Sequence, residues 1–260
     1  MRKLAVCLIL ALSCPTSVQA EDIMSILQRQ SESPPVELPK VNPYNYTLAV
    51  TMSGQEGDDD IKPPFTAQLR INPAETGEKR GVLISASSDD FSDDFKALLD
   101  EIRDPDVSVE DFSEEFWCEG LSGEDDLSLD DFSVVSQTQT EATIRPDLQS
   151  MAKIMMDSDE DQEISNSERK MMEKMMERLD GEFILSKPEG QLKQFKIWMT
   201  RPMRVKVIAK INSMEIQQSC APAPNGLRYT ETMSMNVGLK ALGIDISQNM
   251  NLRISDLTLR

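Results

Sequence analysis

The last third of the chain alternates apolar and polar residues over three long segments, and this pattern constrains the fold more than any other feature. The alternation covers residues 203–219, 227–239 and 244–257, and side chains with a period of two lie on opposite faces of a β-strand. The intervening loop 221–226 ends in Gly226 and suits a hairpin connection. Strands of more than about a dozen residues twist and curl, so the pattern predicts a curled antiparallel sheet.

Shorter alternating segments and two helical segments precede these strands. Further strands are predicted over residues 44–52, 65–71, 81–86, 132–144, 182–186 and 191–200. Helices are predicted near 89–103 and 147–179. Ser87 and Asp90 have the spacing of a capping box at the start of the first helix. Its apolar stripe consists of Phe91, Phe95, Leu98, Leu99 and Ile102.

Together these elements predict an α+β protein with one sheet domain. The sheet is curled, antiparallel and half-barrel-like, with about ten strands and two helical segments packed on one face. The single domain spans residues 44–260, a length that one domain accommodates. Residues 21–43 are predicted to form a short helix followed by a polar, proline-bearing linker.

The first twenty residues have the pattern of a secretory signal peptide. A basic pair at 2–3 precedes an apolar run over 4–12, and small residues suited to cleavage stand at 18–20. The apolar run is too short to span a bilayer. We therefore expect a periplasmic or secreted protein that is not membrane-spanning. The residues before Cys14 distantly resemble a lipoprotein processing site, so lipidation of Cys14 remains an alternative to its removal.

Removal of the signal peptide leaves two cysteines, Cys118 and Cys220. Two thiols far apart in a chain that enters an oxidising compartment most simply form one structural disulfide. The alternative is a pair of independent buried thiols. A redox role is disfavoured because the sequence has no Cys-x-x-Cys motif.

Composition excludes several functional classes. The chain has no histidine, which removes histidine-based catalytic triads, histidine general bases and histidine-ligated metals. A net charge of −18 makes nucleic acid an improbable partner. Nothing in the sequence argues for an enzyme, and no cofactor is implied apart from calcium in one hypothesis below.

The C-terminal region has a different charge balance from the rest of the chain. Residues 181–260 hold 11 basic and 6 acidic side chains. These basic residues are either solvated side chains on the polar face of a sheet or a basic face for anionic lipid or another envelope component. The basic face would consist of Lys193, Lys196, Arg204 and Lys206, with Arg201 and Lys210 beside them.

One acidic segment, residues 157–168, is similar to an EF-hand calcium loop. Its possible oxygen ligands are Asp157, Asp159, Asp161, Glu163, Ser165 and Glu168. The loop departs from the pattern because Gln162 replaces the usual glycine at the sharp turn, and because polar residues occupy the apolar positions of the flanking helices. The competing interpretation is a solvated acidic connector.

A methionine stripe, Met171, Met172, Met175 and Met176, follows this segment. Thioether clusters select soft Cu(I) in an oxidising compartment. The same spacing is also expected of a helix that packs an adaptable apolar face on the sheet or over a pliable cavity. The second interpretation needs no metal, so the sequence favours it.

Long curled antiparallel strands with a few helices, in a secreted chain of this size, resemble the half-barrels of periplasmic lipoprotein-carrier proteins. The resemblance covers the order of elements over about residues 44–259 and includes no diagnostic motif. It implies an apolar pocket between the sheet and helices 89–103 and 165–179. The residues expected at this pocket are Phe91, Phe95, Met172 and Met176.

The sequence therefore favours a non-enzymatic periplasmic protein that binds an apolar or amphiphilic envelope ligand such as a lipid or lipoprotein. One alternative is a calcium-binding protein that uses residues 157–168. The other is a structural envelope protein whose acidic surface mediates contacts with another envelope component.

The calcium hypothesis predicts saturable heat when the protein is titrated with calcium in a calorimeter. Several carboxylates around a hard cation give dissociation constants no weaker than the millimolar range. Replacing Asp157 and Glu168 by asparagine and glutamine should abolish that heat. A flat titration of the unmodified protein at millimolar calcium would exclude this function.

Overall fold

The computed structural model describes residues 22–32, 37–57, 63–114, 116–118, 129–148, 166–187, 189–206 and 209–260. Its helices are α1 (Ile23–Ser31), α2 (Asp93–Ile102), α3 (Val109–Glu114) and α4 (Asn166–Met176), with short 3-10 turns at Gly77–Lys79 and Leu129–Asp131. Its strands are β1 (Tyr44–Glu56), β2 (Phe65–Ile71), β3 (Gly81–Ala86), β4 (Phe132–Gln137), β5 (Glu141–Pro146), β6 (Leu179–Ser186), β7 (Leu192–Met199), β8 (Met203–Lys206), β9 (Ala209–Pro222), β10 (Arg228–Ala241) and β11 (Ile244–Leu259).

All of these strands belong to one antiparallel sheet. Its order is β3-β2-β1-β11-β10-β9-β7-β6-β5-β4, with β8 paired to β9 beyond the end of β7. The last strand lies beside the first, over the register Tyr44↔Leu259 to Glu56↔Ile246. The sheet is open, and helices are few. The predicted α+β class and half-barrel-like sheet are confirmed, with eleven strands in the described residues.

Two predicted strands are in fact hairpins. The segment 132–144 divides into β4 and β5, because the hydroxyl oxygen of Thr138 accepts hydrogen bonds from the backbone N–H groups of Thr140 and Glu141 and supports a turn. The segment 203–219 divides into β8 and β9, and Lys206 pairs with Ala209 across the reversal. Beyond an irregularity between Arg204 and Lys206, Arg204 pairs with Lys210 and Met203 with Ile211. Residues of the same parity therefore share a face on both strands, and periodicity could not detect the reversal.

The register gives the sheet one apolar face and one polar face. An inner row runs across Val50, Leu252, Met233, Gln218, Phe195, Phe183 and Ile144. The adjacent outer row runs across Thr51, Asn251, Ser234, Gln217, Lys196 and Glu182. We refer to these as the inner and outer faces below. The helices that bury apolar residues pack on the inner face.

Two buried clusters occupy the two ends of the inner face. At one end α2 places Phe95, Leu99 and Ile102 against β1 and β2. At the other end α1 places Ile23, Ile26 and Leu27 against β4–β7. Complementary apolar faces on helix and sheet produce each contact.

Helix α2 begins later than the sequence predicts. Its N-cap is Ser92, whose hydroxyl oxygen accepts a hydrogen bond from the backbone N–H of Phe95 at 3.2 Å. The predicted capping box at Ser87 and Asp90 is therefore wrong. The Ser-Asp-Asp-Phe sequence occurs twice in succession, and the helix uses the second copy.

The disulfide Cys118–Cys220 joins the segment after α3 to the end of β9, with 6.1 Å between the Cα atoms. The predicted pairing is confirmed. Trp117 forms a bridge with Tyr229, and burial raises the pKa of Tyr229 beside it. A crosslink over 102 residues contributes on the order of 4–5 kcal/mol in the chain-entropy model.

Arg80 is fully buried and holds the loop after α2 against the β2–β3 connection. Its guanidinium donates hydrogen bonds to the carbonyls of Glu75, Asp104 and Val107 at 2.9, 3.4 and 2.7 Å. It also lies 4.7 Å from the ring centre of Phe112. Three backbone carbonyls, one in the β2–β3 connection and two in the loop after α2, therefore depend on one side chain.

Replacing Arg80 with alanine should lower the free energy of unfolding by about 2–4 kcal/mol, because it leaves buried carbonyls unpaired and opens a cavity. Urea denaturation measures the change. The neighbouring exposed Lys79 is the control, and Lys79→Ala should stay within about 0.5 kcal/mol. Equal effects at the two positions would contradict the role assigned to Arg80.

Candidate functional site

The middle of the inner face has apolar side chains that the two clusters leave partly exposed. They come from β7, β9, β10 and β11, and each is half-buried although it lies on the same face as the cores. We call this set the apolar trough: Ile197, Met214, Ile216, Met233, Met235, Val237, Leu239, Ile246 and Met250.

Beside helix α2 the apolar trough deepens into a cavity of about 560 Å³. Its floor includes Met235, Ile246 and Met250, and its wall includes Phe65 and Leu98. A few hundred cubic ångströms is the usual size of a small-molecule site. The cavity is therefore large enough for the apolar part of a ligand.

Polar groups stand at the rim of this cavity. Asp94 and Glu101 of α2 contribute exposed carboxylates, and the Gln248 amide donates a hydrogen bond to Asp94 at 3.4 Å. Apolar surface inside and polar groups at the opening suit an amphiphile whose head remains in water. The two carboxylates disfavour an anionic head at this rim.

Two predicted pocket residues lie behind the cavity wall. Phe95 is fully buried and Phe91 is half-buried. Their ring centres lie 4.8 and 6.0 Å from that of Phe65, which does line the cavity. The two rings therefore support the wall and do not form its surface. Their role in binding stays a prediction.

The two predicted pocket methionines are elsewhere. Met172 and Met176 are half-buried on α4, which packs beside β6, and neither lines the cavity. The methionines that do line it, Met52, Met235 and Met250, are on strands. The sequence contained a signal for these methionines, because Met52, Met235 and Met250 occupy apolar positions of alternating segments that predict strands.

The predicted basic face divides between two environments. Lys193 forms an ion pair with Glu141, and Lys196 pairs with Glu215 at 2.9 Å. These two lysines are neutralised. Arg204 is exposed in a different cleft, and the side chain of Lys206 lies outside the described residues.

The predicted calcium loop lies outside the described residues at Asp157, Asp159, Asp161, Glu163 and Ser165. Glu168 falls within α4, where only its backbone is described. Within the described part of the chain, no three histidine, cysteine or acidic side chains form a group that could hold a metal. Calcium binding at 157–168 stays a prediction.

An open antiparallel sheet with helices over one face belongs to the half-barrel class of architectures. In the ranges that the structure describes, no helix is long and apolar enough to cross a membrane. This class is the one that the order of elements predicts.

Two solved structures align with nearly the whole chain. One is a LolA superfamily protein from Nitrosomonas europaea, with 11% identity, coverage of 93% of this chain and 94% of that one, and a TM-score of 0.30. The other is a domain from Vibrio parahaemolyticus described as that of an outer membrane lipoprotein-sorting protein, with 11% identity, coverage of 91% and 92%, and a TM-score of 0.27. No protein family and no curated protein matches the sequence. At such low scores, function has to be inferred from the residues of this chain.

Replacing Met235 with glutamine should change the free energy of unfolding by no more than about 1 kcal/mol, because its side chain is partly exposed in an open cavity. The same substitution at Met203, which is buried, is the matched control and should cost about 2–4 kcal/mol. Urea denaturation compares the two variants. A cost at Met235 equal to that at Met203 would show that the apolar trough is part of a closed core.

Proposed function

We propose that this protein is a non-enzymatic periplasmic carrier that binds an apolar or amphiphilic envelope ligand, a lipid or lipoprotein acyl chain, in the apolar trough. The observation that carries the proposal is the partly exposed apolar floor beneath α2, formed by Met235, Ile246 and Met250. Contiguous apolar surface of this kind is unusual on a soluble protein unless something binds to it.

Burial of apolar surface supplies the affinity in this proposal. Each square ångström of apolar surface removed from water contributes roughly 25 cal/mol. Both the ligand chain and the apolar trough lose exposed surface on binding. The polar outer face, with ion pairs such as Arg145–Glu182 at 3.1 Å, keeps the other side of the sheet in water.

Methionine suits a site that accepts variable chains. Met52, Met235 and Met250 line the cavity together. Unbranched thioether side chains change rotamer at low cost and adapt to ligands of different shape. We therefore expect affinity to depend on chain length more than on the detailed structure of the chain.

The proposed location rests on the leader-like pattern at 1–20 and on the Cys118–Cys220 disulfide. A disulfide persists in an oxidising compartment such as the periplasm. The absence of histidine from the whole sequence removes the commonest general base and favours binding over catalysis.

The proposal predicts saturable binding of a single-chain amphiphile, measured by its displacement of the environment-sensitive fluorophore N-phenylnaphthylamine. The double variant Met235→Asp/Met250→Asp should bind at least about tenfold more weakly, because it places two charges in the apolar floor. An alkyl sulfate should bind more weakly than the alkyltrimethylammonium compound of equal chain length at low salt, because Asp94 and Glu101 stand at the rim.

Met171 provides the control for this experiment. It is an exposed methionine of α4 outside the cavity lining, so Met171→Asp should leave the affinity within about twofold. The variant Met235→Gln tests the site with less effect on folding. Absence of saturable binding by the unmodified protein, or equal loss in the Met171 and Met235 variants, would refute the proposal.

A further inference from the structure

Three cations lie opposite one another across neighbouring strands at one end of the sheet. Arg204 of β8 pairs in register with Lys210 of β9, and Lys210 pairs with Lys240 of β10. Like charges directly opposite in an antiparallel pair destabilise a sheet. Stabilisation of the fold therefore does not explain why these three cations lie side by side.

Two more cations approach the same row from α4 and the turn that follows it. Lys174 and Arg178 line a cleft of about 610 Å³ together with Arg204 and Lys210, and Glu177 is the acidic residue in that lining. Arg178 donates a hydrogen bond to the carbonyl of Pro202, which ties it to the start of β8.

Most of this positive charge is not neutralised. Among the described residues Lys174, Arg204 and Lys210 form no ion pair, whereas Lys240 pairs with Asp245 at 3.0 Å. Unpaired cations around one cleft are unexpected in a chain with a net charge of −18. Such a cleft attracts an anionic surface.

An exposed leucine occupies the adjacent hairpin tip. Leu242 is 75% exposed at the turn between β10 and β11, and Ile244 after it is 43% exposed. Leu242 has φ +52° and Gly243 has φ +87°, a turn that normally takes asparagine before glycine. An apolar side chain in this left-handed position is unfavourable for folding and leaves a large apolar group in water.

The register places this apolar tip beside the cations. Ala241 of β10 pairs with Ala209 of β9, so the turn of the β10–β11 hairpin lies beside the start of β9, next to Lys210. The β10–β11 hairpin also carries Met235 and Ile246 of the apolar trough. One hairpin therefore links the cavity to the basic, apolar-tipped end of the sheet.

We propose that this end of the sheet docks on an anionic phospholipid bilayer, with Leu242 entering the interface and Arg204, Lys210, Lys174 and Arg178 contacting lipid phosphates. Basic residues beside a protruding apolar group are the combination that holds a protein on anionic membranes. The arginine guanidiniums suit bidentate phosphate contacts. This surface goes beyond the carrier function, because it needs no ligand in the apolar trough.

Flotation with vesicles tests the docking surface on the full mature chain. We expect binding to vesicles of equal parts phosphatidylglycerol and phosphatidylcholine, and weak binding to phosphatidylcholine alone. Raising the salt from about 0.1 M to about 1 M, which shortens the Debye length from about 10 Å to about 3 Å, should release the protein. Soluble glycerol phosphate should not compete at millimolar concentration, because it lacks the bilayer that Leu242 enters.

Two variants carry the test. Arg204→Glu/Lys210→Glu should reduce binding at least about fivefold. Leu242→Asn should also reduce binding while keeping or raising the melting temperature, because asparagine suits the turn. Their controls are Arg70→Glu/Lys79→Glu, with the same charge change at exposed positions elsewhere, and Leu259→Asn, a leucine that is 74% exposed at the far end of β11.

Equal binding to both kinds of vesicle, no binding to either, or equal loss in test and control variants would overturn the docking surface. Competition by glycerol phosphate would assign the cleft to a soluble phosphate compound and would also overturn it. None of these results bears on amphiphile binding in the apolar trough. The variants Met235→Asp/Met250→Asp should bind vesicles normally, so failure of the carrier function and failure of docking are distinguishable.

Discussion

The pairing of β11 with β1 is the constraint on which the rest of the structure depends. It joins the three-stranded N-terminal part of the sheet to the C-terminal meander, over the register Tyr44↔Leu259 to Glu56↔Ile246. The inner positions of both parts then lie on one face, as Val50 beside Leu252 illustrates. A slip of one residue would exchange the apolar and polar faces of β11, so the hydrophobic pattern fixes this register strongly.

Helices stabilise the two ends of that face and leave its middle partly exposed. The buried residues of α1 and α2 belong to separate clusters, and the Cys118–Cys220 disulfide belongs to the cluster of α1. Side chains such as Met235 contribute less to stability than buried ones of the same type would. Retaining apolar surface where the protein gains little stability is typical of a binding site.

The α+β class and most strand positions could be predicted from the sequence, because alternation of apolar and polar residues over a dozen positions is typical of a β-strand and of few other structures. The pairing of Cys118 with Cys220 was predicted on the expectation that residues 1–20, which hold the other two cysteines, are removed, and the structure contains this disulfide. Periodicity could not reveal the reversal between Lys206 and Ala209, because the register irregularity between Arg204 and Lys206 leaves residues of the same parity on the same face of β8 and β9. It also could not choose between two consecutive copies of the α2 capping sequence, where Ser92 is used.

The site was harder to predict than the fold. The helical methionines form a pattern in the sequence because they are close together along the chain, whereas Met52, Met235 and Met250 meet only through the pairing of β1, β10 and β11. Strand neighbours that are about 15 to 200 residues apart are set by topology, which local spacing does not encode. The row of Arg204, Lys210 and Lys240 could not be predicted either, because it also forms only through strand pairing.

Native mass spectrometry of the protein purified without detergent from the cells that produce it tests the proposed carrier function most directly. We expect a population whose mass exceeds that of the ligand-free protein by one lipid or acylated ligand, which is released on mild activation, and we expect Met235→Asp/Met250→Asp to lack this population. A single ligand-free mass in both proteins, recovered under conditions that preserve the bound lipid of a known carrier, would contradict the account.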